Sequence, residues 1–168
     1  MKRIGLLSDT HGYLDPKLFE LFKECDEIWH GGDFGSDEVS HQLSSFKPLR
    51  GVYGNIDGNE IRQTHPLINN FYCEEVNVLM IHIGGSPGNY YPEVRNNIEA
   101  VKPDLFICGH SHILKVMFDK KNDMLYMNPG AAGKSGFHKI RTMLRFQING
   151  KKIENLEAIE LGQRGAVV

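Results

Sequence analysis

The stretch Lys2–Gly12, which reads KRIGLLSDTHG, is where the interpretation of this chain begins. An apolar run over residues 4–7 stops abruptly at the polar segment Ser8–Gly12. The run has the length and composition of a buried strand, and open α/β sheets carry their chemistry in the loops at the carboxyl ends of strands. Asp9 and His11 lie two residues apart, so in an extended segment both side chains point to the same side. A carboxylate and an imidazole placed in this way form half of a divalent-metal site.

Composition limits the class of protein. The chain has 168 residues, 40% of them hydrophobic, which predicts one domain over residues 1–168 with a sizeable core. A net charge of −2 argues against a stable nucleic-acid partner, which usually needs a basic face. No apolar run approaches the ~20 residues of a membrane span. Three cysteines without CxxC spacing argue against a disulfide framework or a thiolate metal site, so we expect a cytoplasmic protein with no membrane partner.

The early part of the chain alternates strands with helices, and hairpins dominate the later part. Helices are predicted to begin at Asp15-Pro16, at Ser36 and at Pro92, because these residues are typical of helix N-termini. Asn149-Gly150 is a strong hairpin signal. This order predicts a mixed α/β fold. Strands are expected over residues 27–30, 49–53, 67–72, 76–83, 104–108, 113–118, 124–127, 140–148 and 152–159.

Four further strands also end in polar residues. Asp33, Asn55 and His82 each follow or close an apolar run, and each taken alone has an ordinary explanation as a turn, a helix cap or a core histidine. His110 and His112 lie two apart just after a strand. They are harder to explain as packing residues, because burying an imidazole without a partner is costly.

Together the strand ends offer two carboxylates, one amide oxygen and four imidazoles, with no thiolate. This set suits Mn²⁺, Fe²⁺, Co²⁺, Ni²⁺ or Zn²⁺. Seven ligands are too many for one ion, and they suit two ions ~3.5–4 Å apart with one carboxylate bridging them. The predicted metal ligands are Asp9, His11, Asp33, Asn55, His82, His110 and His112.

The order of these motifs, DxH, GD, GN, H and GHxH, resembles the calcineurin-like metallophosphoesterase superfamily. Within it, SDTHG, GGD, GNID, GHSH and NPG resemble the small single-domain YfcE-like phosphodiesterases, and the retromer subunit Vps29 is similar in fold and pattern. The resemblance covers nearly the whole chain, from Ile4 to the last hairpin. It implies a four-layer αββα sandwich of two mixed β-sheets.

The resemblance also implies two ions, with Mn²⁺ as the first expectation, that share Asp33 as the bridging ligand. The first ion would be bound by Asp9, His11, Asp33 and His112, and the second by Asp33, Asn55, His82 and His110. Catalytic roles are expected for Asn55, Asp57 and His82, with Asp57 orienting a neighbouring histidine. Substrate contacts are expected from Asn55 and His110.

The implied activity is that of a metal-dependent phosphoesterase, with a phosphodiesterase favoured over a phosphomonoesterase. Two divalent ions make the pocket positive, so it attracts a small phosphate ester, and they lower the pKa of a bridging water so that hydroxide is available at neutral pH. The alternative is a non-catalytic scaffold like Vps29. No ligand position is lost in this chain, which favours the enzyme. A homo-oligomer is left open.

One position departs from the larger family. Ile56 follows Asn55 where many members carry a histidine that protonates the leaving group. General acid catalysis contributes about 10²–10⁴-fold, so we expect good leaving groups to be cleaved readily and plain alkyl phosphates poorly. His65 or His138 could replace this acid, but the sequence places neither near the site.

Overall fold

The computed structural model describes residues 1–165, in which two five-stranded mixed sheets pack face to face between outer helices. This arrangement confirms the predicted αββα sandwich. The helices are α1 (Lys17–Leu21), α2 (Asp37–Phe46), α3 (Asn59–Thr64) and α4 (Pro92–Val101). The strands are β1 (Lys2–Leu7), β2 (Glu27–His30), β3 (Leu49–Gly51), β4 (Ile68–Cys73), β5 (Val76–Ile81), β6 (Gly85–Ser86), β7 (Asn89–Tyr90), β8 (Leu105–Ile107), β9 (Leu114–Asp119), β10 (Met124–Pro129), β11 (Ile140–Asn149) and β12 (Lys152–Gln163).

The strand directions bring the polar strand ends to one end of the sandwich. The first sheet has the order β12-β11-β1-β2-β3, in which β1, β2 and β3 are parallel. The second sheet has the order β4-β5-β8-β10-β9, in which β5, β8 and β10 are parallel. Parallel strands end at the same edge of their sheet, so the loops after β1, β2 and β3 meet those after β5 and β8.

Residues of β1 alternate between the two faces of the first sheet. Ile4 and Leu6 are fully buried between the two sheets, whereas Leu7 packs against the outer helices. A side chain at Gly5 would meet the Phe22 ring at 2.6 Å, so the end of α1 lies directly on the strand. Full burial of each such apolar side chain contributes about 1.5–3 kcal/mol, which holds the start of the Ser8–Gly12 loop in place.

The helices begin as the sequence predicts. Asp15 Oδ1 accepts a hydrogen bond of 2.9 Å from the backbone N–H of Lys17, at the start of α1. The Ser36 hydroxyl accepts from the N–H of Val39 at 3.4 Å and caps α2. Pro92 occupies the first turn of α4, where a missing N–H costs nothing.

Two short elements have no counterpart among the helices and strands that the sequence predicts. The chain from Asn59 to Thr64 forms α3. Ile61 is its one buried side chain, so the helix is too short to show an apolar period. Gly85–Ser86 and Asn89–Tyr90 form the small hairpin of β6 and β7.

None of the helices within residues 1–165 is long and apolar enough to cross a membrane. The two longest, α2 and α4, have 10 residues each.

Candidate metal centre

The structure brings the seven predicted ligand residues together at the ends of β1, β2, β3, β5 and β8. Asp33 lies at their centre: its Oδ2 is 3.4 Å from His11 Nε2 and 3.2 Å from His82 Nε2. The same carboxylate oxygen therefore faces donor atoms from both sides. This is the position expected for the predicted bridging ligand.

The first donor group consists of Asp9, His11 and His112, whose ligand atoms all lie within 4.8 Å of one another. Asp9 Oδ1 is 3.2 Å from His112 Nε2 and 3.8 Å from His11 Nε2. The Asp9 side chain is fully buried. A carboxylate and two imidazoles therefore converge on one small volume behind the surface.

The second donor group consists of Asp33, His82 and His110, which also lie within 4.8 Å of one another. Asn55 joins it, since Asn55 Oδ1 is 3.2 Å from His82 Nε2 and 3.1 Å from His110 Nδ1. His82 Nδ1–H donates a hydrogen bond to the carbonyl of Gly31 at 2.7 Å, which leaves Nε2 as the ring nitrogen that can bind a metal ion. The two groups have the composition of the two implied ligand sets.

Five of the seven ligand residues adopt a left-handed backbone, which non-glycine residues seldom do. Such residues cost about 1–3 kcal/mol each and persist only where the surroundings fix them. The loops are fixed by hydrogen bonds such as those from Asp9 N to Gly32 O (2.9 Å) and from His11 N to Asp33 O (3.1 Å). The sequence gives no signal for this feature. The five residues are Asp9 (φ 53°), His11 (φ 46°), Asp33 (φ 58°), His110 (φ 69°) and His112 (φ 61°).

Two atoms of the first group test whether a metal ion fits. Within residues 1–165, Asp9 Oδ1 and His11 Nε2 are buried side-chain atoms without any hydrogen-bond partner. Buried polar atoms are nearly always paired, because leaving one unpaired costs about 1–3 kcal/mol. Both are good ligands for a divalent cation, so the residues present fit a bound metal ion.

The charge state of the site also fits a bound metal ion. Burial raises the pKa of Asp9, but the rings of His11 and His112 outweigh it, and the pKa of this carboxyl lies well below its usual range. The contact with Asp9 raises the pKa of His11. Burial lowers the pKa of His82, but Asp33 and Asp9 outweigh it, and the net shift is upward. Two buried carboxylates thus favour positive charge beside them, which a divalent cation supplies.

The Asp57 side chain corrects one expectation. We predicted that it orients a histidine, but its carboxylate accepts hydrogen bonds from three backbone N–H groups instead. These are the amides of Phe34 (3.2 Å), Gly35 (2.9 Å) and Gly54 (2.8 Å). Because Phe34 follows Asp33 and Gly54 precedes Asn55, Asp57 joins the loops after β2 and β3. It acts on backbone, as a positioning residue, and does not reach an imidazole.

His138 lies behind the first donor group, and its position could not be read from the sequence. Its Nδ1 is 3.2 Å from His112 Nδ1, and its Nε2–H donates to the carbonyl of Gly133 at 2.8 Å. His138 Nδ1 is therefore an acceptor, and His112 Nδ1 carries the proton that it accepts. His112 Nε2, which lies 3.2 Å from Asp9 Oδ1, is then the ring nitrogen that can bind a metal ion.

His30 lies beneath the site and connects the loops that follow β1 and β2. The N–H of Gly32 donates to His30 Nδ1 at 3.1 Å, so the ring proton is on Nε2, 3.1 Å from Thr10 Oγ1. The ring stacks on Phe34 with centroids 3.7 Å apart. Complete burial, with neighbouring histidines adding to it, holds the pKa of His30 well below its usual range. It is a neutral core histidine.

Sequence comparison places this site in a known family. Residues 1–151 match the model of the calcineurin-like phosphoesterase superfamily domain. A probable metallophosphoesterase of Methanothermobacter thermautotrophicus is 29% identical over 133 residues, which cover 76% of each chain. A second probable metallophosphoesterase, from Methanocaldococcus jannaschii, is 30% identical over 139 residues, which cover 76% of this chain and 67% of that one.

Solved structures share the fold over nearly the full length. An archaeal phosphodiesterase superposes with a TM-score of 0.74 at 22% identity, covering 95% of this chain and 99% of its own. Vps29 of Chaetomium thermophilum superposes with a TM-score of 0.75 at 15% identity, covering 97% and 100%. At these identities the likeness shows the architecture alone.

Proposed function

Because this chain belongs to the calcineurin-like phosphoesterase superfamily, we propose that it is a metal-dependent phosphoesterase, and more specifically a phosphodiesterase. The observation that carries the proposal is the convergence of the seven predicted ligand residues around Asp33, which is one of them, with Asp9 Oδ1 and His11 Nε2 left without hydrogen-bond partners. A purely structural cluster would pair such buried atoms with protein groups.

Two divalent ions, Mn²⁺ in our proposal, would be held by these residues. Asp9, His11 and His112 would hold one ion, and His82, His110 and Asn55 the other, with Asp33 shared. When bound, such ions supply positive charge for phosphoryl oxygens and lower the pKa of water towards neutrality. The protein's part is to fix the ligand atoms in place and, through the lowered pKa of Asp9, to keep that carboxyl deprotonated.

Asn55 is the residue placed to contact the substrate. Its Oδ1 faces His82 and His110, and its side-chain nitrogen makes no hydrogen bond within residues 1–165. An amide N–H beside the donor atoms can donate to a non-bridging phosphoryl oxygen, whose charge grows during reaction. His110 is exposed next to it, and we propose both residues as substrate contacts.

Neither His65 nor His138 is placed to replace the missing general acid. The Ile56 side chain is 47% exposed and carries no proton to give. His65 is buried, 2.9 Å from the Ser40 hydroxyl, and is not among the donor residues. Both ring nitrogens of His138 are already used, by His112 and by Gly133. We therefore propose that the enzyme depends on the leaving group's own stability.

The first test is turnover of bis(p-nitrophenyl) phosphate by the full chain with Mn²⁺, compared with protein treated with a chelator. Calorimetric titration of the same protein gives the number of ions bound. We expect two ions and Mn²⁺-dependent turnover. Two bound ions without turnover would contradict the enzymatic proposal.

Binding of two ions without turnover would favour the alternative, a non-catalytic scaffold. The observation on its side is the exposed apolar surface of the edge strand β9 and its approach, where Ile113 is 63%, Met117 39% and Phe118 52% exposed. Such a surface is typical of protein-binding sites. We rank the scaffold second because every metal-ligand position still carries a ligand residue.

A second test uses a series of aryl and alkyl methyl phosphodiesters with leaving groups of different pKa. Without a proton donor, the rate should fall steeply as the leaving group becomes more basic. A rate that is independent of the leaving group would show that a general acid exists after all.

A further inference from the structure

An apolar cavity opens beside the second donor group. It has a volume of about 390 Å³, and Asn55 and His82 form part of its wall. We call it the apolar cavity. The rest of its wall is formed by Tyr53, Gly54, Arg62, Leu67, Ile68, Ile81, Ile83, Glu93, Val94 and Asn97.

The apolar side chains of this wall are unusually exposed for hydrophobic residues. Leu67 is 52% and Ile68 39% exposed, although the buried residues Ile81 and Val94 line the same cavity. Apolar surface that is left open in a concave site, with a few polar groups at its rim, is typical of small-molecule binding.

The planar guanidinium of Arg62 is held in a fixed position at the rim of the apolar cavity. The guanidinium lies 4.6 Å from the centroid of the Tyr53 ring, and its Nε donates to the backbone carbonyl of Asp57 at 2.6 Å. Its terminal nitrogens make no hydrogen bond within residues 1–165. A guanidinium held in this way can stack on another aromatic face.

We propose that the apolar cavity binds an aromatic ring of the substrate, an aryl group or a nucleobase that is part of the phosphate ester. The inference rests on the proposed phosphoesterase function. Because Asn55 and His82 belong to both the second donor group and the cavity wall, a group esterified to a phosphate at that donor group enters the cavity directly.

A second cavity on the other side of His110 would favour a diester over a monoester. It measures about 240 Å³ and includes Tyr91, Ile113 and Lys115 in its wall. The segment Ile83-Gly84 separates the two, since Ile83 lines one cavity and Gly84 the other. Two cavities next to one phosphate site provide room for the two organic groups of a phosphodiester.

Another cavity, of about 430 Å³, lies between Arg3, Glu24 and Arg145. None of the seven ligand residues lines it, so a ring bound there could not belong to a phosphate at the donor groups.

The test compares the binding of phenylphosphonate and methylphosphonate to the Mn²⁺-loaded full chain by calorimetry. Both carry the same anion, and only one carries a ring. We expect phenylphosphonate to bind about 10-fold more tightly, at the low end of what a hydrophobic pocket discriminates. Leu67→Asp should abolish this preference. Phe118→Asp, at an equally exposed apolar position of β9 that lines neither cavity, should leave it unchanged.

Leu67→Trp serves as a second variant that narrows the cavity without adding charge, and it should also abolish the preference. Equal binding of the two phosphonates to the wild type, or a phenyl preference that survives both Leu67 variants, would overturn the inference while leaving the proposed function intact. Failure of both phosphonates to bind to metal-loaded protein that also lacks turnover would overturn the proposed function, and this inference with it.

Discussion

The two donor groups differ in how far they are closed off from solvent. In the first group the side chains of Asp9, His11 and His112 are 0%, 18% and 14% exposed. In the second group Asp33 and His82 are nearly buried, but His110 and Asn55 are exposed. The same ligand chemistry is thus enclosed on one side and open on the other.

The surroundings of the two groups also differ, and the first group is again the more enclosed. His138 backs the first group and fixes the tautomer of His112. The second group borders two cavities, and Asp57 holds its loops from behind. If both groups bind an ion, we expect the first group to retain its ion and the second to present its ion to the substrate.

Asp33 contacts a histidine of each group, and since we propose that it is shared by both ions, its loss should have the largest effect. Asp33→Asn should reduce turnover of bis(p-nitrophenyl) phosphate by about 10³-fold, because the charge that stabilises the reacting phosphate is lost with the metals. Calorimetry should show weakened binding of both ions, whereas Asp9→Asn should weaken one ion selectively. Asp37→Asn, in the first turn of α2, where the carboxylate is partly exposed and contacts His41, is the control. Selective loss of one ion in Asp33→Asn would refute the shared role.

Substitution of Asp57 tests how much the loops after β2 and β3, which carry residues of the second group, depend on its carboxylate. Asp57→Ala leaves three backbone N–H groups without their charged acceptor, so we expect the free energy of unfolding to fall by about 3 kcal/mol. Urea denaturation of the metal-free protein measures this. Asp57→Asn, which keeps one acceptor oxygen, should lose less. An unchanged unfolding midpoint in Asp57→Ala would show that the loops after β2 and β3 are held by other contacts.

His138 tests the first group alone. His138→Ala removes the acceptor for His112 Nδ1–H, and loss of such a partner typically weakens metal binding about 10–100-fold. Calorimetry should show one weakened ion and one unchanged ion, and His138→Gln should restore much of the loss by supplying a new acceptor. His41→Ala, on the exposed face of α2, should change neither. Equal weakening of both ions would mean that the two groups are not independent.

His30 connects the loops that carry both groups, and it makes stability depend on pH. Its folded-state pKa is lowered by burial, so below pH ~6.5 the unfolded state takes up a proton that the folded state refuses. The stability that depends on neutral His30 is therefore fully present above pH ~6.5 and is lost as the pH falls.

The measurement is urea denaturation of metal-free wild type and His30→Gln between pH 7.5 and 5.5. Below pH ~6.5 the wild-type slope should exceed that of His30→Gln by about 1 kcal/mol per pH unit. Parallel slopes would mean that His30 accepts a proton in the folded protein.

Much of the architecture could be predicted because it depends on local pattern. The apolar runs and polar stops defined β1 and β2, and the helix signals at Ser36 and Pro92 were correct. α3 was not predicted, because a six-residue helix with one buried side chain shows no apolar periodicity in the sequence. The motif order was enough to name the family, and the seven ligand residues lie together in the structure. Their roles as ligands and in catalysis stay predictions until metal binding is measured.

The sequence by itself determined which chemical groups are available, since each donor follows a strand whose apolar run can be read directly. Only the tertiary structure decided how those groups are used. It closed the first group with His138, turned Asp57 towards backbone amides, and opened cavities beside the second group. These features depend on contacts between residues far apart in the chain and on left-handed backbone at non-glycine positions, and neither leaves a periodic or compositional trace in the sequence.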